Sequence, residues 1–128
     1  DNDQSRILRA QALVSLGALY RPMERFEEAR AAYAGALPIL RELRGPEHPD
    51  TLACLGNSAE VLVSLGEHEQ AERLLVPAYE AITAATGPTS YFATHFAIGM
   101  IELYESTGRQ AEADELRASL PEGSIPTP

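Results

Sequence analysis

Apolar positions recur at intervals of three and four along most of this chain, the spacing that gathers side chains on one face of an α-helix. Leu13, Leu16 and Tyr20 form one such set, Leu55, Leu62 and Leu65 a second, and Met100, Leu103 and Tyr104 a third. Each is followed by a further stripe. Phe26, Ala29, Tyr33, Ala36, Leu37 and Leu40 make the first, Ala71, Leu74, Leu75, Ala78 and Ile82 the second, and Ala113, Leu116 and Leu120 the third. The pattern predicts three antiparallel helical hairpins, with second helices from about Met23 to Leu43, Glu67 to Thr86 and Arg109 to Leu120. Gly66 and Gly108 supply the left-handed residue that ends a first helix. Gly45-Pro46 and Gly87-Pro88 end second helices, because glycine tolerates positive φ and proline cannot continue a helix. The next helices start beside His48-Pro49-Asp50-Thr51 and Thr89-Ser90, where a polar side chain caps free amides and Pro49 fits the first turn. Pro22 falls in the first interhelical turn. Pro38 and Pro77 fall inside second helices, where each removes a hydrogen bond and predicts a local kink.

These elements repeat at a fixed offset. Gly45-Pro46 returns as Gly87-Pro88, 42 residues later, and Ala29 returns as Ala71 and Ala113. A period of this size marks stacked hairpins rather than one globular core. The predicted fold is therefore all-α: a solenoid, or α-α superhelix, of three hairpins over residues 1–120, with repeats at about 5–46, 47–88 and 89–120. Residues 121–128 form a proline-rich, non-helical tail.

Composition narrows the chemistry. All ten basic residues are Arg, seven of them in residues 1–44 against six acidic groups, whereas three face thirteen acidic groups from Gly45 onward. That imbalance argues against nucleic acid or an anionic membrane as partner, since phosphate binding needs a basic face. No stretch approaches the roughly 18 apolar residues of a membrane span. The single Cys54 cannot close an internal disulfide, which fits a reducing, cytoplasmic setting. A start at Asp1 rather than Met suggests a piece of a longer protein.

The motifs of catalysis are missing: there is no phosphate-binding glycine loop, no nucleophile elbow and no CxxC. His48, His68 and His95 never pair at i, i+4, so capping and solvation account for the first two, and no metal or cofactor is expected. Cys54 reads as a packed helix position rather than a reactive thiol. Glu67, Glu69 and Glu72 beside Arg73 read as solvent-facing helix charges. The expectation is no enzyme.

Leu13-x-x-Leu16-Gly17-x-x-Tyr20 with Ala29, Tyr33 and Ala36 resembles a tetratricopeptide repeat. Leu55-x-x-Ser58-Ala59-x-x-Leu62 with Ala71, Leu75 and Ala78 is the second copy, and Ala97-x-x-Met100-Ile101-x-x-Tyr104 with Ala113, Arg117 and Leu120 the third. The common repeat has ~34 residues. The longer period and the linker Gly45-Pro-Glu-His-Pro-Asp50-Thr-Leu52 resemble the subclass found in kinesin light chains and many bacterial regulatory proteins. The small residues Gly17, Ala59, Ala29, Ala71 and Ala113 would let the helices of a hairpin approach closely. Tyr20, Tyr33, Leu75 and Tyr104 would fill the gap between one hairpin and the next. Ile101 and Arg117 depart from the pattern.

The resemblance implies a ligand groove lined by the first helices. Carried onto this chain, its residues are Gln11, Val14, Ala18 and Arg21, then Asn57, Glu60 and Val63, then His95, Ile98, Glu102 and Glu105. Of the Lys, Asn and Arg set that clamps chaperone carboxylate tails in the family, only Asn57 is matched, which excludes that ligand. Acidic peptides would meet Glu60, Glu102 and Glu105, with Arg21 the one opposing charge in these rows. The implied function is a protein-interaction module taking a basic or apolar peptide or helix of a partner in a net-acidic groove. The alternative is a structural spacer or self-association segment of a larger bacterial kinase, ATPase or transcription regulator, forming a homo-oligomer through apolar solenoid ends.

Overall fold

The computed structural model describes residues 2–123, and residues 124–128 of the tail lie outside the described residues. Six helices follow one another: α1 (Asp3–Tyr20), α2 (Phe26–Leu43), α3 (Pro49–Ser64), α4 (His68–Thr86), α5 (Tyr91–Ser106) and α6 (Gln110–Ser119). There is no strand among the described residues. The chain divides into two compact units, Asp1–Glu67 with α1 to α3 and His68–Pro128 with α4 to α6.

One turn geometry ends all three first helices. Arg25 N–H donates to the Tyr20 carbonyl (3.1 Å), Glu67 to Leu62 (2.8 Å) and Arg109 to Tyr104 (2.7 Å), three bonds at the same register positions. The residue before each donor takes positive φ: Gly66 at 80°, Gly108 at 78° and, in the first turn, Glu24 at 57°. The expected start of α2 at Met23 is thus corrected to Phe26, because the chain must first complete this left-handed turn around the exposed Pro22. The other junctions carry their expected caps. His48 Nδ1 accepts from Asp50 N–H (3.1 Å) and Ser90 Oγ from Ala93 N–H (3.3 Å). α2 and α4 continue through Pro38 and Pro77, whose rings lie exposed, so the carbonyls they leave without a helix donor belong to the exposed residues Ala34 and Arg73.

In the first unit, α2 packs against both α1 and α3. Ala10 and Gly17 of α1 are buried, and the stripe of α2 buries Ala29, Tyr33, Ala36, Leu37 and Leu40. Tyr33 was expected between hairpins, and Cys54 and Glu60 of α3 in the next hairpin do act on its phenol. Its ring also lies against Gly17 of its own hairpin, so close that a Cβ there would stand 2.6 Å from the ring Cζ. Across the other side of α2, the Thr51 hydroxyl donates to the Leu40 carbonyl (3.2 Å) and the Cys54 thiol to the Tyr33 carbonyl (3.9 Å). Burial pushes the Cys54 thiol up to about 11, the behaviour of a packed side chain rather than a nucleophile. Leu16 does not share the buried face of α1 and is 41% exposed.

In the second unit, α5 packs against α4 and α6. Ala71, Leu75 and Ile82 of α4, Ala93, Phe96, Ala97, Met100, Ile101, Leu103 and Tyr104 of α5, and Ala113 of α6 are buried. Ile101 is therefore an ordinary core residue. The Arg109 guanidinium lies over the Tyr104 ring at 4.6 Å and bonds Glu112, as Arg25 lies over Tyr20 at 5.1 Å and bonds Glu28. The expectation that Glu67 and Glu72 are merely solvated needs correction. Glu67 lies 3.9 Å from Arg30, and Glu72 bonds Arg109. These two pairs occupy equivalent register positions with their charges exchanged, which marks them as contacts between one repeat and the next.

Candidate partner-binding site

In the first unit the implied groove residues sit on α1 and α3. Gln11 and Ala18 are exposed and Val14 and Val63 half-buried, as helix faces turned away from the α1–α2 packing should be. Arg21, at the end of α1, reaches across to α3, where Nη1 donates to Asn57 Oδ1 (3.2 Å) and Nη2 bonds the Glu60 carboxylate. Three of the residues carried over from the resemblance therefore form one hydrogen-bonded group. The missing Cβ of Gly17 brings the Tyr33 ring up to α1, so the buried phenol comes under the influence of Arg21. Burial raises the Tyr33 phenol above its ordinary pKa, and the guanidinium of Arg21 opposes that rise. A separate recess of about 440 Å³ opens between the start of α1 and the end of α2, with Ile7, Gln11 and Leu43 in its wall.

The second unit offers a different surface. His95 is exposed, Ile98 half-buried, and Glu102 and Glu105 exposed along α5. Glu105 is paired with Arg117 of α6 (3.2 Å), which also approaches Asp114 (3.6 Å). Arg21 is the one opposing charge within these rows, but Arg117, which replaces an apolar residue of the pattern on α6, compensates Glu105 from outside them. Glu102 is in no ion pair among the described residues. One turn before His95, Tyr91 is 74% exposed. Its ring stacks on His95 with centroids 6.0 Å apart and planes at 14°, and meets Phe92 edge-on at 5.1 Å. Thr89, Tyr91, Thr94, His95 and Ile98 line a recess of about 380 Å³. Sequence reasoning missed Tyr91, although its i, i+4 spacing to His95 on the capped first turn of α5 was a usable signal.

Electrostatically the two surfaces differ. The first unit presents a carboxylate already matched by Arg21, the second an apolar and aromatic recess with one unmatched carboxylate, Glu102, one turn beyond Ile98. Among the described residues no three His, Cys, Asp or Glu side chains gather in a way that could hold a metal ion. No helix among them is long and apolar enough to cross a membrane.

The crystal structure of BtubC (BKLC) from P. vanneervenii is similar to this chain, with a TM-score of 0.71 at 24% identity. The match covers 91% of this chain and 49% of that one, so this chain spans about half the length of its structural neighbour. Among curated proteins the chain has no match. The fold is the all-α helical repeat that the periodicity predicts. The tetratricopeptide repeat model matches residues 8–84. With this match over more than half of the chain, the chain belongs to the tetratricopeptide repeat family.

Proposed function

We propose that the chain binds a peptide or helix of another protein on the exposed faces of its first helices, and that the partner segment pairs an apolar side chain with a Lys or Arg. Tetratricopeptide repeats in general mediate protein–protein interaction and are not catalytic. The observation that carries the finer reading is the surface of α5. A recess of about 380 Å³ walled by Tyr91, His95 and Ile98 suits an apolar anchor, since aromatic rings give large contact area at low entropic cost. Glu102 lies one turn beyond Ile98 and, carrying no ion pair among the described residues, is available to a ligand cation. Glu60 and Glu105 contribute less selectivity than their sign suggests, because Arg21 and Arg117 already compensate them. Val14, Ala18, Gln11 and Val63 offer α1 and α3 as neutral contact surface, with Asn57 held by Arg21. No role for nucleic acid, membrane or cofactor follows from these surfaces, and a cytoplasmic setting suits the packed, reduced Cys54.

A peptide array read by fluorescence, followed by titration of the best binders, tests the proposal. Peptides with Leu, Ile or Phe near Lys or Arg should be enriched. Ile98→Asp should abolish their binding, and Glu102→Lys should weaken it by about tenfold, more than Glu60→Lys does. Enrichment of acidic peptides, or binding indifferent to both α5 substitutions, would place the ligand elsewhere.

A further inference from the structure

α1 buries one face where its two counterparts each bury two. Stepping 42 residues along the chain, Ala12, Leu16 and Leu19 of α1 correspond to Cys54, Ser58 and Val61 of α3, and to Phe96, Met100 and Leu103 of α5. The α3 set is 0%, 8% and 0% exposed and the α5 set 1%, 5% and 1%. On α1 the same positions are bare: Leu16 is 41% and Leu19 62% exposed, and Ala12 is exposed as well. Leu8, at 58%, and Met23, at 57% in the turn that follows, extend the stripe. At about 100° per residue, Leu8, Ala12, Leu16 and Leu19 project within roughly a quarter of the helix circumference, away from buried Ala10 and Gly17.

What covers the equivalent faces is visible inside each unit. In the first, α2 lies on α3, with Thr51 bonded to the Leu40 carbonyl and Cys54 to that of Tyr33. In the second, α4 lies on α5, and a Cβ at Gly99 would meet the Leu75 Cδ1 at 3.6 Å. Both times the cover is the second helix of the hairpin that comes before. We propose that the bare stripe of α1 is a seat for the same kind of helix: the second helix of a further tetratricopeptide hairpin, with an Ala and Leu stripe like that of α4. Leu16 and Leu19 match Met100 and Leu103 in bulk, so α4, which packs on α5, is the better template than α2.

A second copy of this chain fits the seat less well. The exposed stripe amounts to on the order of 400 Å², about half of the ~800 Å² per partner that a stable two-chain interface buries. A hairpin joined in sequence to α1 escapes that requirement, because docking is then intramolecular and proceeds at high effective concentration. A patch of this size falls in the range of about 300–600 Å² of the largest apolar patches on monomers, which are often functional. This seat lies on α1 opposite its α2-facing side and does not depend on the peptide-binding reading of α5.

The test joins residues 47–90 directly ahead of Ile7, which keeps the 42-residue register and lets Ser90 cap α1. Hydrogen exchange should show the added hairpin folded and the α1 amides at least ~10-fold better protected than in the unextended chain. Leu19→Glu or Leu16→Glu in α1, both solvent-facing changes in the unextended chain, should remove that gain and leave the fold of the unextended chain intact. An unprotected added hairpin, or α1 protection unchanged by the addition or by both substitutions, overturns the proposal. Sedimentation of the unextended chain across a concentration series completes it: a monomer supports a linked helix as occupant, whereas a dimer abolished by Leu19→Glu overturns that choice in favour of a second copy.

Discussion

Replacing Gly17 by Ala puts the α1–α2 contact to a quantitative test. On an isolated helix the change should help, since Ala is better than Gly in a helix interior by about 1 kcal/mol. Here the new methyl would stand 2.6, 2.7 and 2.9 Å from Cζ, Cε1 and Cε2 of Tyr33, where carbon atoms prefer about 3.5–4.0 Å. The ring must therefore retreat by roughly 1 Å. Tyr33 is 0% exposed, and its backbone carbonyl faces Cys54 on the far side of α2, so retreat disturbs both contacts of that helix. Overpacking of this kind costs about 1–3 kcal/mol, leaving a net loss of about 1 kcal/mol after the propensity gain. Gly99→Ala is the control, because its methyl would meet Leu75 Cδ1 at an ordinary 3.6 Å and should keep up to about 1 kcal/mol of gain. Urea unfolding followed by far-UV circular dichroism should thus separate two chemically identical substitutions by about 2 kcal/mol. Tyr33→Leu combined with Gly17→Ala gives these two positions the residues that stand 42 further along the sequence, Leu75 and Ala59. The double-mutant cycle should show a favourable coupling of about 1 kcal/mol. Equal stabilisation by Gly17→Ala and Gly99→Ala, or a coupling near zero, would refute the close approach of Tyr33 to α1.

Two further outcomes follow from local geometry and burial. Glu24 holds φ 57° where Gly66 and Gly108 serve in the other repeats, so Glu24→Gly should stabilise the chain by about 0.5–1 kcal/mol, the left-handed strain of about 1–2 kcal/mol less the entropy cost of glycine; a fall in the urea midpoint would contradict this. Cys54, buried with its pKa raised to about 11, should resist thiol reagents in the folded chain and react fully in urea. Because the folded pKa lies above the unfolded one, its contribution to stability is complete below the unfolded pKa and declines as pH rises through the folded one. Comparison of urea midpoints for the parent and Cys54→Ala from pH 8 to about 11 checks this, with a steeper decline in the parent as the expected result.

The chain's local chemistry determined most of its architecture without help from tertiary contacts. The helix periodicity, Gly66 and Gly108, the two Gly-Pro steps and the caps at His48 and Ser90 act over one turn or less, so six helices and the 42-residue period were legible from residue order. Where local preference was absent, the fold imposed the same answer: Glu24 takes the glycine conformation because the three turns must be alike. The rotation of each helix about its axis was legible only in part. Leu16 looked like a core residue and is bare, since among the described residues no helix lies on its side of α1 as α2 lies on α3 and α4 on α5. Charge was the least legible property. Glu60 and Glu105 carry the sign that composition assigns them, yet Arg21 reaches the first from another helix and Arg117 the second. Long side chains find partners across helix boundaries, 39 residues away for Glu60 and 12 for Glu105, and a pairing at that separation exists only once the helices are packed. The same holds for Tyr91, whose exposure and stack on His95 turn an ordinary helix start into the wall of a recess.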